Sequence, residues 1–344
     1  MSWSLSVFRA GDVVEVRSQA EILATLDADG RFENLPFMPE MLQHCGKRLR
    51  VAAVAHKACD MIGKSGTARR LDRTVHLEGL RCDGSAHGGC QAECNLFWKD
   101  VWLKPVSAPA QLPVAAAHSA GCTEEQLLAN TVFPTTDSAT EVRYSCQGTR
   151  LFEATKPLPW WNVRQYVLDA STGNHPPMRI VRVLFLAVLR RIQAHVPFGY
   201  RLFKSFSDVV HRMVTGMDTP TMRGSVPDGQ PTPAATLGLM PGERVRVKPE
   251  AQIVATLNSK GLNRGMLFDH EEMKPYCGKT FIVRKRVERI IEERTGRMLH
   301  MKQPCIMLEG VVCKALYAQN RLNCPRAIPS FWRELWLERL EDGK

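Results

Sequence analysis

The sequence lacks the motifs that mark the most common enzyme classes. It contains no phosphate loop of the form Gly-x-x-x-x-Gly-Lys-Ser/Thr, no Gly-x-Gly-x-x-Gly, no His-Glu-x-x-His and no Gly-x-Ser-x-Gly. These absences argue against P-loop nucleotide hydrolysis, Rossmann-type dinucleotide binding, zincin-type proteolysis and serine-hydrolase chemistry. An enzyme of another kind stays open, since no motif names a reaction.

No apolar run approaches the length that a membrane-spanning helix needs. The longest run covers residues 183–189, whereas a bilayer-spanning helix requires about 20 apolar residues. The first residues show no charged stretch followed by an apolar core and a cleavage site. We therefore expect a cytoplasmic protein without a transmembrane segment. In that reducing compartment the 11 cysteines would be thiols or metal ligands rather than disulfides.

Basic residues outnumber acidic ones, and the resulting net charge of +11 favours acidic partners. Nucleic acid, an anionic membrane surface and an acidic protein all meet that description. A basic surface that is merely solvated is the alternative, because net charge bears on association and not on fold. We expect a protein partner or an acidic ligand, with nucleic acid left open.

Two stretches of the chain repeat one pattern. Residues 11–30 and 242–261 are identical at nine of twenty positions, whereas unrelated segments would share about one. Further matched pairs are Glu40 and Glu272, Cys45 and Cys277, Cys82 and Cys313, Cys90 and Cys324, Trp98 and Trp332, and Trp102 and Trp336. The sequence therefore predicts two copies of one small domain, over residues 8–106 and 239–341.

Each copy carries the pattern of short β-strands separated by turns. Val14 and Val16 alternate with polar residues, and residues 27–30 have turn chemistry that ends on a glycine. Strands at this spacing predict a small barrel of about five strands. The opening Gly11-Asp-Val-Val-Glu-Val resembles the start of SH3-like barrels, including the KOW-type modules. That resemblance implies an SH3-like β-barrel for each copy.

The segment between the copies carries helical signals. Thr123-Glu-Glu-Gln126 has the form of a capping box, which predicts a short helix over 124–130. Residues 178–196 and 200–214 are also predicted to be helical. The predicted fold class is α+β and β-dominated, with two tandem-duplicated barrels separated by a largely helical insert. The predicted domains are a first barrel repeat with a Cys-rich loop (1–106), the insert (107–216), a flexible linker (217–238) and a second barrel repeat (239–344).

The strongest chemical signal is the segment from Cys82 to Cys94, which places three cysteines and His87 within thirteen residues. Its glycines allow the backbone to fold tightly enough to direct several side chains at one centre. Thiolates are soft ligands that suit zinc, copper(I) or iron–sulfur clusters. The candidate metal ligands are Cys59, Cys82, His87, Cys90, Cys94, Cys122 and Cys146. Buried thiols that bind no metal are the alternative interpretation.

The choice of metal stays open between two possibilities. An all-cysteine set shielded by Phe97 and Trp98 favours an iron–sulfur cluster, whereas a set that includes His87 favours zinc. The second copy lacks the histidine and the glycines of the loop, and it has Ile328 where the first copy has Cys94. We therefore expect the metal in the first copy alone.

Three functions follow as hypotheses from these features. The first is a metal-binding accessory or binding protein built on the duplicated barrel. The second is a metal-dependent enzyme with its centre at the Cys82–Cys94 loop, which would need an open coordination position. The third is a nucleic-acid-binding protein in which the metal is structural.

Overall fold

The computed structural model describes residues 3–59, 68–106, 121–134, 141–195, 200–215, 224–316 and 321–340. The fold is mixed α/β and rich in strands, which form several separate sheets. The strands are β1 (Val13–Val16), β2 (Arg31–Phe32), β3 (Leu35–Pro36), β4 (Arg48–Val54), β5 (Lys57–Cys59), β6 (Ala68–Arg70), β7 (Thr74–Leu77), β8 (Trp98–Lys99), β9 (Leu103–Pro105), β10 (Lys156–Leu158), β11 (Arg244–Val247), β12 (Leu262–Asn263), β13 (Met266–Leu267), β14 (Thr280–Ile291), β15 (Met298–Val312), β16 (Pro329–Arg333) and β17 (Leu337–Arg339). The helices are α1 (Gln19–Leu23), α2 (Glu124–Ala129), α3 (Gln147–Arg150), α4 (Arg164–Ser171), α5 (Pro177–His195), α6 (Tyr200–Thr215), α7 (Glu250–Val254) and α8 (His270–Met273).

The helical signals of the insert are confirmed. Thr123 caps α2 by accepting from the amide of Gln126 at 3.2 Å, and the Gln126 side chain accepts from the amide of Thr123 at 2.9 Å. Helices α5 and α6 begin and end within a residue of their predicted bounds. Within the described segments, every helix falls short of the length and apolar character needed to cross a bilayer. Much of the predicted linker, residues 217–223, lies outside the described residues.

The two five-stranded sheets share one strand order. The first runs β8-β7-β4-β1-β9 and the second runs β16-β15-β14-β11-β17. In each sheet, the strand that comes last in the chain lies at one edge and pairs with the strand that comes first in the chain. Val14 lies opposite Leu49, and its counterpart Val245 lies opposite Phe281. In the described part of the chain neither sheet closes into a barrel, so the SH3-like barrel is not confirmed. The shared order and register support the duplication, which stays a prediction.

The two sheets also share a tryptophan contact in their cores. The indole Nε1 of Trp102 donates to Thr25 Oγ1 at 3.1 Å, and that of Trp336 donates to Thr256 Oγ1 at 2.9 Å. A phenylalanine packs edge-on against each indole, with ring centroids 5.0 Å and 5.3 Å apart. Both indoles are fully buried, and a buried indole N–H usually has a hydrogen-bond partner. The matching threonine of each copy supplies it.

Replacing either threonine by valine should destabilise the protein by a similar amount. Thr25→Val and Thr256→Val each leave a buried indole N–H without its acceptor, at a cost of about 1–3 kcal/mol in the free energy of unfolding. Urea denaturation measures both. The exposed Thr280 provides the control, since Thr280→Val should change stability by less than about 0.5 kcal/mol. Losses in the free energy of unfolding that differ severalfold between Thr25→Val and Thr256→Val would contradict the inference that the two cores use the same contact.

The chain divides into two compact units. Unit 1 contains Met1–Ile180, Arg289–His300 and Asn323–Ile328, and unit 2 contains Val181–Glu288, Met301–Leu322 and Pro329–Lys344. Unit 1 thus includes the end of β14, the start of β15 and the short segment that precedes β16. All of the cysteines and the histidine proposed as ligands lie in unit 1. The predicted domain boundaries follow the sequence repeat and stay a prediction.

Candidate metal centre

The loop that carries the cysteines is closed at its base by backbone pairing. Arg81 and Asn95 form an isolated antiparallel bridge, and the amide of Cys82 donates to the carbonyl of Cys94 at 2.8 Å. Within the loop, the amide of Gly89 donates to the carbonyl of Gly84 at 2.9 Å. These bonds place the first and last cysteines side by side and fold the residues between them into a compact turn.

Glycine at position 84 is required by the shape of this turn. Its φ is +77°, in the left-handed region that side chains rarely adopt, and a Cβ there would lie 2.0 Å from the carbonyl oxygen of Cys90. No side chain fits against that backbone atom. The glycine therefore allows Cys90 to fold back toward Cys82.

Three side chains of different types meet beside the loop. The sulfur of Cys82 lies 3.2 Å from His87 Nε2, and His87 Nδ1 lies 3.9 Å from Glu40 Oε1. One ligand atom from each residue lies within 4.8 Å of the other two, and no other such group of three or more occurs in the described residues. Glu40 and His87 are buried. This triad is a possible metal-binding group.

The polar atoms of the triad are poorly satisfied. Burial raises the pKa of Glu40 to about 7, lowers that of His87 to about 4, and raises that of the Cys82 thiol above its usual range. Within the described part of the chain, neither carboxylate oxygen of Glu40 nor Nδ1 of His87 makes a hydrogen bond of normal geometry, and the contacts of the Glu40 carboxylate with the Cys82 thiol and its own backbone amide only partly offset the effect of burial. Buried polar atoms are nearly always paired, so an ion bound here would satisfy atoms that the protein leaves poorly satisfied.

The matching glutamate of the second copy is fully engaged. The carboxylate of Glu272 accepts from the backbone amides of Lys314, Ala315 and Leu316 at 2.8, 3.1 and 2.9 Å. These three residues come directly after Cys313, at the position where the Cys82–Cys94 loop of the first copy comes after Cys82. The same residue type therefore stabilises a loop in one copy, whereas in the other copy Glu40 faces a histidine and a thiol.

Replacing Glu40 or Glu272 by glutamine should have different effects on the stability of the metal-free protein at pH 8. Glu272→Gln replaces one acceptor oxygen with an NH₂ group that faces a backbone N–H, and should cost about 1–3 kcal/mol. Glu40→Gln removes a charge that burial disfavours strongly enough to raise the pKa of Glu40 to about 7, so stability should stay the same or rise. Urea denaturation compares them, each serving as the control for the other. A loss at Glu40 equal to that at Glu272 would contradict the assignment.

Beside the triad lies a cavity of about 50 Å³ that is lined by more of the predicted ligands. Cys82, His87, Cys90 and Cys94, all from the one loop, line this cavity. Cys146 also lines it, although it is far away in the sequence. Four thiols and one imidazole thus border a single space.

Cys146 is positioned by the residue that follows it. The Gln147 side chain accepts from the amide of Phe97 at 2.8 Å and donates to the carbonyls of Phe97 and Pro36, both at 2.9 Å. These bonds attach the start of α3 to the segment that follows Cys94. Burial raises the pKa of Cys146 to about 11 and that of Cys94 to about 12, so without a metal both are neutral thiols near pH 7.

The end of β14 and the segment before β16 complete the cavity wall. The amide of Ile291 donates to the sulfur of Cys90 at 3.3 Å. Arg326 is buried and forms an ion pair with Glu293, and both residues line the cavity. The cavity therefore offers one hydrogen bond to a sulfur and one guanidinium close to the thiols.

Cys59 and Cys122 lie outside the cavity lining. The sulfur of Cys59 lies 3.8 Å from Nη1 of Arg326, which also donates to the Cys59 carbonyl at 3.3 Å. The sulfur of Cys122 donates to the carbonyl of Thr123 at 3.3 Å, next to α2. The predicted set of seven ligands thus separates into five residues that meet and two that do not.

Sequence reasoning missed Glu40, Glu293 and Arg326 as neighbours of the thiols. Glu40 has a counterpart in the second copy, so the comparison of the repeats assigned it to the fold. Glu293 and Arg326 belong to the second repeat, and no spacing rule connects them to residues 82–94. The burial of Glu40 without hydrogen bonds of normal geometry is a property of the folded chain, and no sequence signal indicates it.

Comparison with known proteins assigns no family to this arrangement. No family model matches the chain, and no curated protein matches it at a significant level. The candidate centre is therefore defined by its own geometry: a buried Glu–Cys–His triad that shares Cys82 and His87 with a cavity lined by four cysteines.

Proposed function

We propose that this protein is a metal-binding accessory or binding protein whose centre lies at the Cys82–Cys94 loop of the first repeat. The observation that carries the proposal is the convergence of Glu40, Cys82 and His87, with buried oxygen and nitrogen atoms that lack a hydrogen bond of normal geometry among the described residues. Zinc suits the carboxylate, thiol and imidazole of the triad, and an iron–sulfur cluster suits the cysteines that line the adjoining cavity.

The second repeat supports the proposal by contrast. It retains the strand order, the tryptophan contact and a cysteine at position 313, but its glutamate is used to cap a loop. In this proposal the duplicated SH3-like framework is scaffold in both copies, and metal binding is what the first copy adds. Since Glu40 and His87 are almost fully buried, a bound ion would have little contact with a substrate, and we assign an accessory role rather than catalysis.

Metal and sulfide analysis of the full chain tests this proposal. Protein purified without oxygen and without added chelator should contain metal in a fixed ratio to the chain, measured by plasma mass spectrometry together with its absorbance spectrum. Removing the metal should lower the free energy of unfolding, because metal bound only by the native state stabilises that state. A colourless and fully folded protein that neither contains nor takes up iron or zinc would refute it.

A further inference from the structure

Resting on the proposed metal-binding function, we infer that the cavity holds an iron–sulfur cluster bound by the thiolates of Cys82, Cys90, Cys94 and Cys146. These are the four cysteines that line it. They come from the two ends of one loop, from within that loop, and from the residue that begins a helix after a long separation in sequence. Four cysteine thiolates are the usual ligand set of such clusters.

The spacing of the sulfurs does not match that of four ligands to a single zinc ion. Four sulfurs that surround one zinc ion at about 2.3 Å would lie about 3.8 Å from one another. No three of these four sulfurs lie within 4.8 Å of one another, since the one group that meets this limit in the described residues is the triad. A cluster distributes its ligands over several iron atoms, so its sulfurs must stand further apart.

The size of the cavity agrees with a multi-atom occupant. By the measure that gives about 50 Å³ for this cavity, a single water needs only about 10–15 Å³. The space therefore exceeds that of one ion or one water. Apolar side chains, including Leu96, Phe97 and Ile291, cover part of its wall and limit the access of solvent.

The polar groups around the cavity suit an anionic centre. A cluster bound by four thiolates carries net negative charge, and hydrogen bonds to its sulfurs stabilise it. The amide of Ile291 already donates to Cys90 Sγ at 3.3 Å. The guanidinium of Arg326 lines the same wall, where it forms an ion pair with the Glu293 carboxylate. His87 Nε2, 3.2 Å from Cys82 Sγ, would then be a hydrogen-bond donor to that sulfur rather than a ligand.

Anaerobic reconstitution with ferrous iron and sulfide tests the inference on the full chain. The wild type should bind iron and sulfide in equal amounts, about two or about four of each per chain, and give the paramagnetic signal of a reduced cluster after dithionite treatment. Cys146→Ser should reduce the content of intact cluster at least about tenfold. Cys122→Ser is the matched control, because this insert cysteine lies outside the cavity, and it should retain the wild-type iron content.

A second variant keeps the test decisive if Cys146→Ser fails to fold. Cys94→Ser removes another thiol that lines the cavity and lies outside the triad, so it should lower the content of intact cluster to the same extent. Binding of one zinc per chain that is lost in Glu40→Gln and unaffected in Cys146→Ser would overturn the cluster and leave the metal-binding function standing. Binding of neither iron nor zinc would remove both proposals.

Discussion

Cys82→Ser and Cys90→Ser are expected to remove the bound metal, whereas Cys313→Ser and Cys324→Ser leave it in place. The sulfurs of the first pair line the cavity, and Cys82 also belongs to the triad. The second pair occupies the matching positions of a repeat whose glutamate caps a loop instead of facing a ligand. The four variants therefore compare the same substitution in two related contexts.

The expected loss of metal affinity in Cys82→Ser and Cys90→Ser follows from the proposed role of both cysteines as metal ligands. Replacing groups that only orient a metal ligand commonly lowers metal affinity about 10–100-fold, so loss of a ligand should cost at least that much. Metal content after anaerobic purification and competition with a chelator would measure it, with circular dichroism as the check on folding. Equal losses from both pairs of variants would contradict the asymmetry between the repeats.

Gly84→Ala is expected to abolish metal binding with no change to any donor atom. Its new Cβ would lie 2.0 Å from the carbonyl oxygen of Cys90, so the turn must open and move Cys90 away from Cys82. The positive φ adds a cost of about 1–2 kcal/mol. We expect metal content to fall at least about tenfold, because thiols that no longer converge cannot share one centre.

Gly79 provides a control that separates the steric clash from the backbone strain. Its φ is +73°, close to that of Gly84, but a Cβ added at Gly79 would meet no atom within 4 Å among the described residues beyond its chain neighbours. Gly79→Ala should therefore lower stability by about 1–2 kcal/mol and retain the metal. Retention of full metal content by Gly84→Ala would show that the turn does not position the ligands.

Much of the local structure could be predicted from the sequence because it depends on short-range chemistry. The capping box of α2 and the bounds of α5 rest on contacts within a few residues, and the strand that contains Val14 and Val16 is marked by the alternation of apolar and polar side chains along it. The loop between Cys82 and Cys94 was predictable for the same reason, since its glycines and donors are close together in the chain.

The rest of the centre depends on contacts between distant segments. Cys146 reaches the cavity because Gln147 binds the backbone at Phe97 and Pro36, and nothing in the local sequence of Cys146 distinguishes it from Cys122. Sequence spacing likewise offered Cys59 as a fourth ligand, although it lies against Arg326 instead. Closure of the sheets into barrels was inferred from strand number and spacing, which do not determine whether the edge strands meet.

The most direct test of a metal centre in the first repeat is the position of the metal in a crystal of the protein as isolated. Diffraction data collected at the absorption edge of iron or zinc should give one strong anomalous peak per chain, within about 2.3 Å of the sulfur of Cys82, inside the space bounded by the triad and the four thiols. No comparable peak should lie near Cys313. A strongest peak at the second repeat, or a cavity without any peak in protein shown to contain metal, would contradict it.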